Sequence, residues 1–290
     1  MSFGVASMTA PLRRVAVRRP GPSLTGADPS KWHYGPQFDP DLVTAQHDAF
    51  ADCLSNAGCE VVWMDGDDRG IADAVFTYDA SLMTPKGAIL MSPGKELRRG
   101  EQEVHRAFYQ SHGIPIFGEV VGGARAEAGD TLWLDTNLMA IGRGFRTNEE
   151  GIAQISTLLN AQGIDARSFD LPFYQGQDAC LHLMSLISLV DTRTALVVLE
   201  LLPVALRALM LDLGYQLIPA PFDEFQTTGT LSTNVLATSP GHCIMLDGIP
   251  QTRAALEQAG IAVTTFTGDA LCIGCEGGPT CLTRPLLRHN

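Results

Sequence analysis

Along the chain, amphipathic stretches of helical period repeatedly end in glycine, and an apolar, strand-like run begins at once. The pattern occurs at Ala57-Gly58-Cys59-Glu60-Val61, His112-Gly113-Ile114-Pro115-Ile116, Gln162-Gly163-Ile164-Asp165-Ala166, Leu213-Gly214-Tyr215-Gln216-Leu217 and Ala259-Gly260-Ile261-Ala262-Val263. Successive glycines lie 55, 50, 51 and 46 residues apart. The position just past a helix end often takes the left-handed backbone region, where glycine has no Cβ to clash. Helix starts are marked too: Thr147-Asn148-Glu149-Glu150 reads as a capping box, and Pro250 fits a first helical turn. Further strand-like runs are 15–17, 74–78, 88–91, 131–134, 138–141, 195–199, 235–237 and 243–246. One helix–glycine–strand unit belongs to any α/β protein, and regular spacing alone would also suit a doubly wound sheet. Here each interval holds two or three strands per helix, more than a simple βα repeat. The expected fold class is therefore α/β, with five small mixed modules around an axis.

Composition narrows the setting. The 290 residues carry a formal net charge of -12, which argues against nucleic acid as the main partner, because phosphate binding needs a basic face. No run of 18 apolar residues exists; the longest candidate, Leu183 to Val204, is interrupted by Asp191, Arg193 and Glu200, so no membrane span is expected. The start of the chain lacks the basic-then-apolar order of a signal peptide. Seven cysteines, at 53, 59, 180, 243, 272, 275 and 281, are an odd count spread through a long chain, which points to free thiols in a reducing, cytoplasmic compartment. No linker divides the chain, so residues 1–290 are expected as a single domain, with residues 1–11 as a flexible tail. The Pro/Gly-rich stretch from Pro20 to Pro36 reads as a long loop.

Candidate chemistry concentrates near the end of the chain. In Gly277-Gly278-Pro279-Thr280-Cys281 a tight turn precedes a cysteine and an apolar run, an arrangement able to present a thiol at the mouth of a site. Taken locally, Cys281 reads at least as well as an inert buried thiol. Cys272 and Cys275 form a CxxC, but a second pair with metal-ligand spacing is missing, so no metal is expected. His182 opens a long apolar run and suits a general acid/base at the edge of a buried strand, or a satisfied core histidine. His47, His105 and His112 fall in or beside expected helices and read as exposed. Glu127 precedes Asp130 across a glycine turn and could orient a histidine or hold a cation. Asp73 and Asp79 bracket the expected strand 74–78, a placement suited to gripping cationic groups. Arg98 could bind a carboxylate at a helix start, and Arg146, just before the Thr147 cap, could favour an anion. Alone, each of these reads as a surface charge.

Together, Asp73-Ala74-Val75-Phe76, Arg98-Arg99-Gly100-Glu101, Glu127-Ala128-Gly129-Asp130, Arg146-Thr147-Asn148, Leu181-His182-Leu183 and the glycine turn before Cys281 resemble, in order, the guanidino-group-modifying (pentein) superfamily. This group includes dimethylarginine dimethylaminohydrolases, arginine deiminases and amidinotransferases. The resemblance implies a five-bladed α/β propeller with its site on the axis, which agrees with the five repeats. It implies an enzyme that cleaves a guanidino C–N bond of arginine or N-methylated arginine to citrulline and an amine. Cys281 would be the nucleophile, His182 the acid/base, and Glu127 the residue holding His182 and one guanidinium nitrogen. Asp79 would bind the guanidinium, Asp73 the α-amino group, and Arg98 and Arg146 the α-carboxylate. A guanidino amino acid would be the small-molecule partner, without a cofactor, and the resemblance leaves room for a homodimer and for a lid formed by residues 24–38. Arginine deiminase, amidinotransferase and a non-catalytic ligand-binding propeller are the alternatives. Two residues depart from the family pattern. Met184 stands where deiminases and amidinotransferases carry aspartate and dimethylarginine hydrolases commonly carry lysine, and Tyr78 stands where dimethylarginine hydrolases often carry glutamate. Met184 favours a substituted guanidine.

Overall fold

The computed structural model describes residues 2–176 and 181–289, so Cys180 lies outside the described residues. Five three-stranded sheets share one plan. An inner strand pairs antiparallel with a middle strand, a helix crosses over, and an outer strand returns parallel to the middle one. The first sheet holds β1 (Leu12–Val17) and β2 (Glu60–Trp63). The second holds β3 (Ser81–Thr84), β4 (Gly87–Leu90) and β5 (Ile116–Glu119). The third holds β6 (Thr131–Asp135), β7 (Leu138–Arg143) and β8 (Asp165–Asp170). The fourth holds β9 (Ile187–Asp191), β10 (Thr194–Val197) and β11 (Gln216–Pro219), and the fifth β12 (Leu236–Ser239), β13 (His242–Leu246) and β14 (Ala262–Phe266). The last strand, β15 (Arg284–Arg288), pairs antiparallel with β1 and completes the first sheet. The fold is a five-bladed α/β propeller whose first blade is closed by both ends of the chain.

The five crossover helices are Val43–Asn56, Glu101–Ser111, Glu149–Asn160, Val204–Asp212 and Pro250–Gln258. Gly58, Gly113, Gly163, Gly214 and Gly260 follow them with φ between 65° and 83°, the left-handed values that the sequence pattern implies. The cap of the third helix is Asn148, whose side chain accepts from the Gly151 N–H, one residue beyond the Thr147 expected.

Burial falls from the axis outward. Inner strand β3 is buried throughout, as is middle strand β4, whereas outer strand β14 alternates between exposed and half-buried residues up to the buried Phe266, and β8 is exposed at four of its six residues. Continuous apolar runs suit strands covered on both faces, and alternation suits half-covered ones. Three expectations are corrected. The run 74–78 is not a strand: residues Ala72–Val75 form a short 3-10 turn that buries its apolar side chains. Residues 2–10 are not a loose tail: Gly4 bridges Leu287, Val5 is buried, and Arg288 donates to the Gly4 carbonyl. His47 and His105 are buried rather than exposed. Among the described residues, no helix is long and apolar enough to cross a membrane.

Candidate active site

Each blade delivers one polar side chain to the same end of the axis, from the loop just before its inner strand. These are Asp79 before β3, Glu127 before β6, His182 before β9, Asn234 before β12 and Cys281 before β15. Two adjoining pockets share Asp79, His182, Glu276 and Cys281 as lining. One atom each of Asp79, Glu127 and His182 lie within 4.8 Å of one another, close enough to enclose a cation. The donors that already surround Glu127 make the group a hydrogen-bonded network.

Glycines make the convergence sterically feasible. A Cβ on Gly129 would come within 2.6 Å of His182 Nδ1 and 2.8 Å of Asp79 Oδ1. A Cβ on Gly277 would come within 2.3 Å of the Phe76 ring, and one on Gly278 within 2.4 Å of Asn234 Cγ. The turn before Cys281 is therefore glycine because other blades press against it. Asn234 then grips the turn from both sides: its Oδ1 accepts from the Thr280 N–H at 2.9 Å, and its Nδ2 donates to Cys281 Sγ at 3.1 Å. The Tyr78 N–H donates to the Cys281 carbonyl, tying the Cys281 backbone to the Asp79 loop.

His182 Nε2 meets Glu127 Oε2 at 2.6 Å. Glu127 is fully buried; its Oε1 accepts from the Gly94 and Lys95 N–H groups, and Arg146 reaches both oxygens. Burial alone would raise its pKa, but the Arg146 charge and the His182 bond outweigh burial and hold it well below the usual carboxylate range. Asp130 carries the next layer, with Oδ1 accepting from the Leu183 N–H and Oδ2 from the Thr147 hydroxyl. That carboxylate fixes the backbone on which His182 stands.

The predicted residues therefore meet, with two changes of surroundings. Glu127 holds His182, and it lies behind the pocket wall with both oxygens already engaged. Arg98 is buried, and each of its three nitrogens already donates: to Asp79 Oδ2 at 2.6 Å, to Glu101 Oε1 at 2.8 Å and to the Phe76 carbonyl. Arg98 thus braces Asp79 from beneath, where an open carboxylate-binding arginine was expected. Asp73 accepts from the Tyr34 hydroxyl and pairs with Lys95 Nζ, both at 2.7 Å. Lys95 also donates to the Trp32 carbonyl, so the Pro20–Pro36 segment is tied down over this edge of the site. Arg146 and Lys95 line a wider cleft leading in from solvent. Met184 and Thr280 line the inner pocket. The sequence reading missed Asn234 and Lys95. The fivefold repeat was the signal for Asn234, since every other blade had a candidate at the equivalent loop. Cys272 and Cys275 are buried thiols that burial pushes up.

The arginine deiminase family model matches residues 71–216, 146 of the 290 residues. The chain belongs to the arginine deiminase family. It is 27% identical over 249 residues to an arginine deiminase of Mycobacterium avium, a match covering 75% of this chain and 61% of that one. It is 30% identical over 154 residues to an N(G),N(G)-dimethylarginine dimethylaminohydrolase of Pseudomonas aeruginosa, covering 52% and 58%. The matches thus span about three fifths of each enzyme's length. Among solved structures, the Pseudomonas aeruginosa dimethylarginine hydrolase with citrulline superposes at a TM-score of 0.78, with 23% identity over 96% of this chain and 100% of that one. An amidinotransferase of Microseira wollei superposes at 0.79, with 15% identity over 99% and 98%. These likenesses place the fold in the pentein group.

Proposed function

We propose that this member of the family hydrolyses a guanidino C–N bond of arginine or an N-methylated arginine, giving citrulline and ammonia or an amine. The observation that carries the reading is the meeting of Cys281, His182 and Asp79 on one pocket wall, with Glu127 locked behind His182. The Asp79 carboxylate localises a delocalised cation, and proximity lets the thiolate reach an otherwise unreactive carbon. Cys281 Sγ bonds to the guanidinium carbon, and the departing amine takes a proton from His182. His182 then accepts a proton from water, which adds to the thiouronium carbon and releases the sulfur. Asn234, donating to Sγ, positions the thiolate.

At the other end of the substrate, Asp73 receives the α-ammonium, and Arg146, with Lys95 released from Asp73, takes the α-carboxylate. Met184 presents an apolar side chain beside the guanidinium position, which favours N-methylated substrates over plain arginine. We place the reaction in the cytoplasm. A screen of arginine, its mono- and dimethylated forms and simple alkylguanidines, read as citrulline or urea formation, tests the proposal. Turnover of methylarginines that disappears in Cys281→Ser supports it. Turnover of plain arginine alone makes it a deiminase, faster transfer to an added amine than to water makes it an amidinotransferase, and turnover that survives Cys281→Ser overturns the mechanism.

A further inference from the structure

Behind the catalytic pocket, on the far side of Tyr78, Met184 and Thr280, the axis holds a second, narrow cavity of about 20 Å³. By the same measure a single water needs roughly 10–15 Å³, so the space admits one water or one monatomic ion. Among the described residues, its lining contains Arg284 and Arg288 and no acidic residue. Both arginines are buried, at 1% and 7% exposure. Arg284 donates to the Tyr78 and Ser81 carbonyls and stacks at 4.2 Å on the Tyr78 ring. Arg288 donates to the Ala10 and Ala237 carbonyls. Among the described residues, no carboxylate oxygen lies within 4.0 Å of either guanidinium. Carbonyl dipoles soften two buried positive charges but leave them uncancelled, and a buried charge is costly unless paired. Burial already pulls Arg288 down to about 10.

Among the described residues, three buried polar atoms on this lining lack a partner: Arg284 Nε, Thr280 Oγ1 and Trp133 Nε1. Two of the three are obligate donors, and a hydroxyl can donate. Two unneutralised cations and three idle donor atoms around a one-ion space are the complement of an anion. We propose that this axial cavity binds one small monovalent anion of halide size. The cavity excludes larger oxyanions by volume. Because Thr280 lines both cavities and directly precedes Cys281, the anion sits behind the nucleophile's turn.

The test uses the full chain. Crystals soaked in bromide should give an anomalous peak between Arg284 and Arg288, competed away by chloride. In solution, replacing gluconate by chloride or bromide at constant ionic strength should raise the melting temperature saturably, by roughly 3–6 °C. Arg288→Met should abolish that halide-specific rise. Should Arg288→Met fail to fold, the bromide map on the wild-type chain still decides. A cavity holding only water in bromide crystals, or a melting temperature that follows gluconate and halide alike, overturns the proposal.

Discussion

Arg98 and Arg284 are two arginines buried to similar depth, and both hold the loop that carries Asp79. Arg98 is surrounded by acids: Asp79 and Glu101 bond it directly, and Glu127 adds its field, so that despite burial its pKa is raised well above the usual value. Arg284 is surrounded by carbonyls and an aromatic ring. The first arrangement spends carboxylates to fix the position of one of them, Asp79, at the pocket wall. The second leaves positive charge standing. The difference teaches that burial of an arginine says little by itself; its partners decide whether it organises a site or awaits a ligand.

The sharpest way to probe the contrast is to remove chemistry without touching either arginine. Cys281→Ser should lower turnover by about 10³-fold or more while shifting the melting temperature by less than roughly 2 °C, because the thiol reacts but carries little packing. A comparable loss of stability would mean that the nucleophile's turn is itself structural. Next, Arg98→Met strands Asp79 and Glu101 as buried carboxylates and should destabilise the fold by about 3–5 kcal/mol in denaturant titrations. Arg284→Met removes an unpaired cation and should cost less, about 1–3 kcal/mol, the range for stranded backbone acceptors. Equal costs would break the comparison.

A buried base with no partner extends the series. His47 is fully buried with both ring nitrogens unbonded, and burial lowers its pKa from 6.5 to about 4. The unfolded chain therefore binds a proton below pH 6.5 that the folded chain refuses until about pH 4. Stability from this group is complete above 6.5 and is lost as pH falls, by on the order of 3 kcal/mol. His47→Phe should flatten the fall in melting temperature between pH 6.5 and 4; an unchanged slope would assign the acid sensitivity to other groups. The smallest effect concerns the entrance. Lys95→Met should raise KM for arginine-type substrates about 5–10-fold with kcat nearly unchanged, the size of one exposed charge-assisted contact. It should leave alkylguanidines without a carboxylate unaffected. An equal KM change for both would show that Lys95 acts through the Trp32 segment instead.

Much of this molecule was legible before its coordinates. The five glycines past helix ends were readable because left-handed backbone selects glycine strongly, and their spacing predicted five modules. Cys281, His182, Glu127 and Asp79 emerged as an ordered set, and they meet. The apolar run 74–78 misled because continuous burial suits a 3-10 turn as well as a strand. Arg98 misled because sequence gives charge without partner, and it is consumed by Asp79 and Glu101; Lys95, which rests on Asp73, drew no notice for the same reason. Asn234 gave no signal of its own, since a neutral amide in a loop reads as a turn residue. Histidines at 47 and 105 sit on helix faces turned inward, and polarity alone suggested the opposite.

The closure of the first blade carries a consequence for how the protein is made. β1 and β2 leave the ribosome well before β15, so the edge of β1 stays unpaired until residues 284–288 follow. An unpaired strand edge is a template for pairing with other chains. The same segment brings Cys281, so the ring closes and that thiol takes its place in one event. A ribosome stalled short of that point would hold an open ring with an adhesive edge.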